Sequence, residues 1–246
     1  MNAVLFERTI TCSKSVRSNS IVFMKQATIA ARVTRPSADA TRERILAAAL
    51  DLFSELSFDG ASTREIARRA GVTQGLLNYH FSSKDELWRA AVDEIFAELT
   101  SALDGRAEGL RGVDELTVAR LLIREFVSFS ARYPQLHRII TQECKTDGPR
   151  MDWLVERHVR PRYEETTALF AQLVRAGHVP DIPVAHLYYI LTGAGPSMFV
   201  LGPECRRLTG LDPHAPQVIE AHADAVIALL FGAEAPQSTV HLSQGG

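Results

Sequence analysis

Apolar residues recur at three- and four-residue steps along most of this chain and almost nowhere at steps of two. From Asp39 to Leu56 the positions Ile45, Leu46, Ala49, Leu52, Phe53 and Leu56 fall on one stripe, which predicts an amphipathic helix with one buried face. A turn over Ser57-Phe58-Asp59-Gly60-Ala61 follows. Ser62-Thr63-Arg64-Glu65 then reads as a capping box, in which the Ser62 hydroxyl and the Glu65 carboxylate satisfy each other's backbone amides. It opens a short helix that Gly71 stops by supplying a left-handed residue. Thr73 caps a third helix, 74–80, and Ser83-Lys84-Asp85-Glu86 is a second capping box opening a long fourth helix to Leu103. Further helices are predicted near 113–131, 134–146, 149–176, 183–200 and 215–231, with Pro161 kinking the third of these. No convincing stretch alternates with period two, and Asp59-Gly60 and Asp104-Gly105 lie between helical segments rather than between strands. The fold class is therefore all-α.

Punctuation and charge divide the chain into four parts. Residues 1–38 lack a sustained period and end on Arg35-Pro36-Ser37, which predicts a flexible arm. Residues 39–98 form a compact N-terminal unit, 99–232 a larger helical domain, and 233–246 a loose tail. The net charge of −2 conceals an asymmetry: residues 1–38 carry six basic groups against Glu7 alone, a net of +5 on a body of −7. A basic arm on an acidic body suits a protein that touches nucleic acid at one end. The alternative is that Met24 is the true start, which would make residues 1–23 an artefact; they lack the pattern of a secretory signal. Cys12, Cys144 and Cys205 are odd in number, far apart in sequence and without a Cys-x-x-Cys pair, which argues against a disulfide framework or a zinc site and fits a reducing, cytoplasmic setting. The eight histidines show no metal-ligand spacing, so neither a metal nor a cofactor is expected. No apolar run approaches bilayer length, so no membrane partner is expected either.

Two short helices joined by a glycine-containing turn, the second polar on its outer face, make the pattern of a helix-turn-helix over 62–81. Its logic is geometric: the major groove of B-DNA accepts one helix, and the preceding helix crosses the backbone and supports it. Ile66, Ala67 and Ala70 face inward, as do Val72, Leu77 and Phe81, which leaves Gln74, Gly75, Leu76, Asn78 and Tyr79 pointing outward. Thr41–Phe53, Ser62–Phe81 and Ser83–Leu87 resemble the DNA-binding domain of the tetracycline-repressor family almost throughout. The resemblance covers about residues 39–98; the helical remainder is similar to the family only in length and helix order. It implies a homodimer that binds a palindromic duplex operator and a small-molecule effector, acting mostly as a repressor in the bacterial cytoplasm and nucleoid. Two positions depart from the family pattern. Ser57 stands where a glycine is usual, so the turn needs another left-handed residue or a different geometry. Asn78 stands where a tyrosine is usual, with Tyr79 following.

The residues expected at DNA are Thr63, Arg64, Thr73, Gln74, Gly75, Leu76, Asn78, Tyr79, His80 and Lys84. Arg64 is a candidate base or phosphate contact, or simply a solvated group at a helix start. Gln74 bonds a base edge or supports its helix, Leu76 meets a thymine methyl or packs inward, and Asn78 suits bidentate reading of adenine. Tyr79 suits a phosphate, and Lys84 a phosphate beside the free amides of the fourth helix. Thr73 is foremost a cap, and His80 more structural than a reader. The arm, through Arg32 and Arg35, could follow the adjacent minor groove.

In the larger domain Phe126, Phe129, Trp153, Phe170 and Tyr189 suit an apolar pocket, with His137, Cys144 and His158 as polar members that orient a ligand. Each is also explicable as ordinary core or surface. The helices near 183–200 and 215–231 are apolar on broad faces (Leu187, Ile190, Leu191, Ala194; Val218, Ala221, Ala225, Ile227, Leu229), which predicts a two-fold dimer through a four-helix arrangement. An all-helical enzyme is the competing class, but the chain has no nucleophile elbow, Gly-rich phosphate loop or paired metal ligands. A protein–protein adaptor would leave the outward residues of 73–80 without purpose.

Overall fold

The structure is a computed structural model that describes residues 38–110 and 112–232; the predicted arm below residue 38 and the tail above residue 232 lie outside the described residues. All regular elements among them are helical: α1 (Ala38–Gly60), α2 (Thr63–Ala70), α3 (Gln74–His80), α4 (Lys84–Glu108), α5 (Glu115–Arg132), α6 (Pro134–Glu143), α7 (Pro149–Leu154), α8 (Arg160–Arg175), α9 (Val184–Val200), α10 (Gly202–Thr209) and α11 (Pro216–Phe231). The α1 stripe is buried with Ile45, Ala49, Leu52 and Phe53 at most 1% exposed, in one cluster with Ile66 of α2, Leu77 of α3, and Leu87 and Trp88 of α4; Leu56, expected on the same stripe, is instead exposed beside the Ser57 kink.

Ser57 resolves the first departure from the family pattern by itself. It adopts φ 61°, ψ 176°, the one positive φ outside glycine among the described residues, and kinks α1 there, with helical backbone resuming as far as Gly60. That region is almost exclusive to glycine and costs about 1–3 kcal/mol for other residues. Ser57→Gly is therefore expected to stabilise the protein by about 1–3 kcal/mol, read as an upward shift of the urea midpoint at constant slope. An unchanged midpoint would mean the serine is not strained.

Both predicted capping boxes form by half. The Ser62 and Ser83 hydroxyls accept from the amides of Glu65 (3.2 Å) and Glu86 (3.1 Å). The carboxylates do not return the bond as expected: Glu65 takes Arg68 and Arg69, and Glu86 accepts from the Ser82 amide and hydroxyl, one residue earlier. A charged guanidinium one turn along binds the Glu65 carboxylate more strongly than a neutral amide does.

Other boundaries differ too. Asp104-Gly105 does not end α4, because both face solvent and one exposed helical glycine costs only about 1 kcal/mol. The single helix predicted over 149–176 is α7, a π-turn at Val155–Val159, and α8; Pro161 is accommodated within the first turn of α8, where its missing N–H matters little. α10 was not foreseen, although Pro203 in its first turn and left-handed Gly210 at its end are both local signals.

Two buried clusters result. The first surrounds α1–α4 and continues into Phe129, Leu136, Ile139 and Leu154, so the division expected at residue 98 falls inside α4 and the core crosses it. The second joins α5, α8, α9 and α11, and Phe126 packs against both. Where α9 crosses α5, a Cβ on Gly195 would stand 3.0 Å from the Phe126 ring, so a larger residue would have to push the ring back by a few tenths of an ångström. Leu187 and Leu191, expected on an intermolecular face, are instead buried within the protomer by this packing. Ile190, Ala221, Ala225 and Leu229 remain exposed. Among the described residues no single helix is long and apolar enough to cross a membrane, and no group of three or more His, Cys, Asp or Glu could hold a metal ion.

Candidate nucleic-acid interface and cavity

α2 and α3 meet through a left-handed Gly71 (φ 65°, ψ 37°), with the Val72 amide bonded to the Ala67 carbonyl. This closes the turn and caps α2. Arg44 of α1 reaches across to the carbonyls of Ala70 and Gly71, fastening the turn to the first helix. The apolar pattern gave no sign of this role; a side chain bound for the orphan carbonyls of another helix has no local signature.

The Thr73 hydroxyl caps α3 by accepting from the Leu76 amide at 3.2 Å. Gln74 is half-buried: its Nε2 donates to Thr63 Oγ1 and to Asn78 Oδ1, both at 3.1 Å. Of the alternatives for Gln74, support of the helix is the geometry present, and the outward projection expected of it is not. Thr63 is held by the same bond, and one lone pair of Asn78 Oδ1 is already taken. Leu76 is 39% and Tyr79 82% exposed, and Gly75, Asn78 and Arg64 also face solvent. A Cβ on Gly75 would meet nothing within 4 Å, so packing inside the protein does not require this glycine. His80 is half-buried with its ring 5.4 Å from that of Tyr79. Lys84 folds back over the Phe58 ring, 4.6 Å from its centroid, with Nζ 3.4 Å from the Asp59 carbonyl.

The arginines beside this surface are mostly committed. Arg68 forms a bidentate pair with Glu65, and Arg69 pairs with Glu55 and Glu65. Glu65 is accordingly drawn down to about 2 by the hydrogen bonds from Arg68 and then Arg69, so it stays ionised at neutral pH. Arg64 has no ion pair among the described residues and is the open cation of the face.

Away from this surface lies a cavity of about 810 Å³. Phe96, Leu99, Phe126, Leu136 and Ile140 form its apolar wall, and Tyr189, Gly193, Ser197 and Leu201 lie along one side, on and just beyond α9. His137 enters it from α6, 9% exposed, with Nε2 3.0 Å from the hydroxyl oxygen of fully buried Ser130. Burial pushes the His137 imidazole down to about 4, so the ring is neutral at pH 7. Four of the expected ligand residues thus gather here: Phe126, His137, Tyr189 and Cys144, the last exposed. A smaller apolar cavity of about 280 Å³ shares Leu99, Phe126, Tyr188 and Thr192 with it and takes in Phe170.

Three of the expected residues lie outside both cavities. Phe129 is fully packed in the first cluster, and Trp153 packs on Trp88 at 5.5 Å under the Arg89 guanidinium. His158 lies behind the cavity wall, stacked on Phe96 at 4.4 Å with Nε2 2.9 Å from Asp93. An aromatic at helical spacing looks the same in sequence whether it lines a cavity or fills a core. For the same reason Phe96 and Leu99 gave no sign of being cavity wall.

Residues 45–91 match the family model for "Bacterial regulatory proteins, tetR family". The chain is 28% identical over 171 residues to the HTH-type transcriptional regulator RutR of Escherichia coli (strain K12), covering 70% of this chain and 79% of RutR. It is 26% identical over 168 residues to the HTH-type transcriptional repressor NicS of Pseudomonas putida, covering 65% and 76%. Among solved structures it is similar to apo AibR (TM-score 0.63, 16% identity, 79% of this chain and 99% of that one). It is also similar to AibR in complex with isovaleryl coenzyme A and operator DNA (TM-score 0.58, 17% identity, 79% and 100%).

Proposed function

We propose that this chain, whose residues 45–91 match the tetR family of bacterial regulatory proteins, is a homodimeric repressor that binds a palindromic operator through α3 and leaves it when a small, mainly apolar effector fills the cavity. The observation that carries this is α4. One continuous helix places Leu87 and Trp88 in the buried cluster that also holds Ile66 of α2 and Leu77 of α3, and Phe96 and Leu99 in the cavity wall. From residue 88 to residue 99 is about 17 Å at 1.5 Å per residue. A ligand that displaces Phe96 or Leu99 moves the foundation of the recognition helix.

The exposed residues of α3 support the DNA role. Tyr79 and Leu76 leave apolar surface in solvent instead of packing it against the protein, and Gly75 weakens its helix without relieving any clash. Each is explained by a partner that approaches closely, Tyr79 and Arg64 on phosphate, Leu76 and Asn78 at base edges. Lys84, Thr63, Thr73, Gln74 and His80 act by holding that face in shape. Dimerisation is assigned to the outer faces of α9 and α11, where Ile190 and Leu229 are exposed beside Ala221 and Ala225, residues small enough for close helix approach. Such a dimer needs its two recognition helices one turn of the duplex apart, so that both enter the major groove on one face.

The test is selection from a random duplex pool with the full chain at physiological salt, followed by titration of the enriched sequence. An inverted repeat bound with strong salt dependence is expected. Failure to enrich any sequence would remove the DNA-binding reading.

A further inference from the structure

We propose that the 810 Å³ cavity selects neutral ligands that carry a hydrogen-bond donor on an apolar body, and that His137 Nδ1 is the acceptor that reads the donor; this rests on the cavity being the effector site. The number of protons available fixes the tautomer of His137. Ser130 Oγ lies 2.7 Å from the Phe126 carbonyl oxygen and 3.0 Å from His137 Nε2. A hydroxyl has one proton, and a carbonyl can only accept. Were the proton turned to His137, two oxygens 2.7 Å apart would face each other with none between them. The proton therefore lies on the carbonyl, Ser130 turns a lone pair to the ring, and the 3.0 Å contact requires Nε2–H.

The neutral ring then has its bare lone pair on Nδ1, which takes no hydrogen bond among the described residues; Nε2 makes the ring's contact, to Ser130. His137 is nine-tenths buried and lines the cavity beside Phe126, Leu136 and Ile140. An unmet acceptor in apolar surroundings favours a ligand that brings a hydroxyl or N–H. A carboxylate would set its charge against that lone pair. Arg160, the cation on the cavity lining, is paired with Glu156 at 2.6 Å and does not compensate it.

The tautomer is read directly by long-range proton–nitrogen NMR on nitrogen-15 histidine-labelled protein, with the His137 signals identified by their loss in His137→Phe. Protonated Nε2 and bare Nδ1 are expected, and the reverse tautomer would overturn the proposal. Selectivity is read with 2-naphthol, naphthalene and 2-naphthoate, followed by probe fluorescence. 2-Naphthol is expected to bind about tenfold more tightly than either analogue, the yield of one buried hydrogen bond. His137→Phe should reduce it to the level of naphthalene. Ser130→Ala keeps the ring, frees the tautomer and should narrow the preference, which preserves the test if the phenylalanine variant does not fold. Equal affinity for 2-naphthol and naphthalene in the unaltered protein would refute the acceptor role. No binding of any probe would overturn the cavity as a ligand site, whereas the duplex selection above tests the DNA reading separately.

Discussion

Alanine at both Asn78 and Tyr79 is expected to cut affinity for the selected duplex by roughly tenfold to a hundredfold per residue, on the order of 1–3 kcal/mol for each side chain withdrawn from the DNA. The protein should lose almost no stability. Tyr79 is 82% exposed, with only the His80 ring near its own, so its removal opens no cavity. Asn78 surrenders one exposed bond from Gln74 Nε2, which water replaces. The two single variants should differ in kind. Tyr79→Ala should weaken all duplexes alike, as a phosphate contact does, and Asn78→Ala should relax preference at one base pair. A folded double variant with unchanged affinity would take α3 out of recognition.

The largest stability effect is expected at Trp88, which is 1% exposed and packs edge-on to Phe58 at 6.4 Å and against Trp153 at 5.5 Å. It is the bolt between the strained Ser57 turn, α4 and α7. Trp88→Ala should cost about 3–5 kcal/mol, because the vacated volume is walled by rigid rings that cannot close over it. Trp88→Phe should recover part of that loss by refilling the space. Urea unfolding of the three proteins gives the comparison. A loss under about 1 kcal/mol for the alanine variant would mean that the cluster is loosely packed.

The N-terminal helices were legible because their determinants are local. The α1 stripe, the hydroxyls of Ser62, Thr73 and Ser83, and Gly71 all act within a turn of their own position. Legibility fell where a group had more than one partner to choose from. Glu65 took arginines over an amide, and Gln74 turned back to Thr63 rather than outward. The cavity was legible only in outline. Its polar end depends on His137 of α6 meeting Ser130 of α5, and its α4 wall on Phe96 and Leu99 lining it, neither of which helical spacing reveals. Phe129, one turn along α5 from Phe126, and Trp153 of α7 sit in solid core although their sequence setting looks the same.

Coupling between cavity and DNA is the centre of the account, and it obeys reciprocity: a compound that loosens DNA must itself be bound less tightly when DNA is present. The compound must also favour the DNA-incompetent arrangement of α4, or it shifts nothing. The decisive measurement takes a small molecule found by its displacement of the selected duplex and titrates it into the full chain with and without saturating duplex. Affinity weaker by about 5–150-fold in the presence of duplex, matching the factor by which the compound weakens duplex binding, is the predicted result. Equal affinities in the two titrations would contradict release through α4.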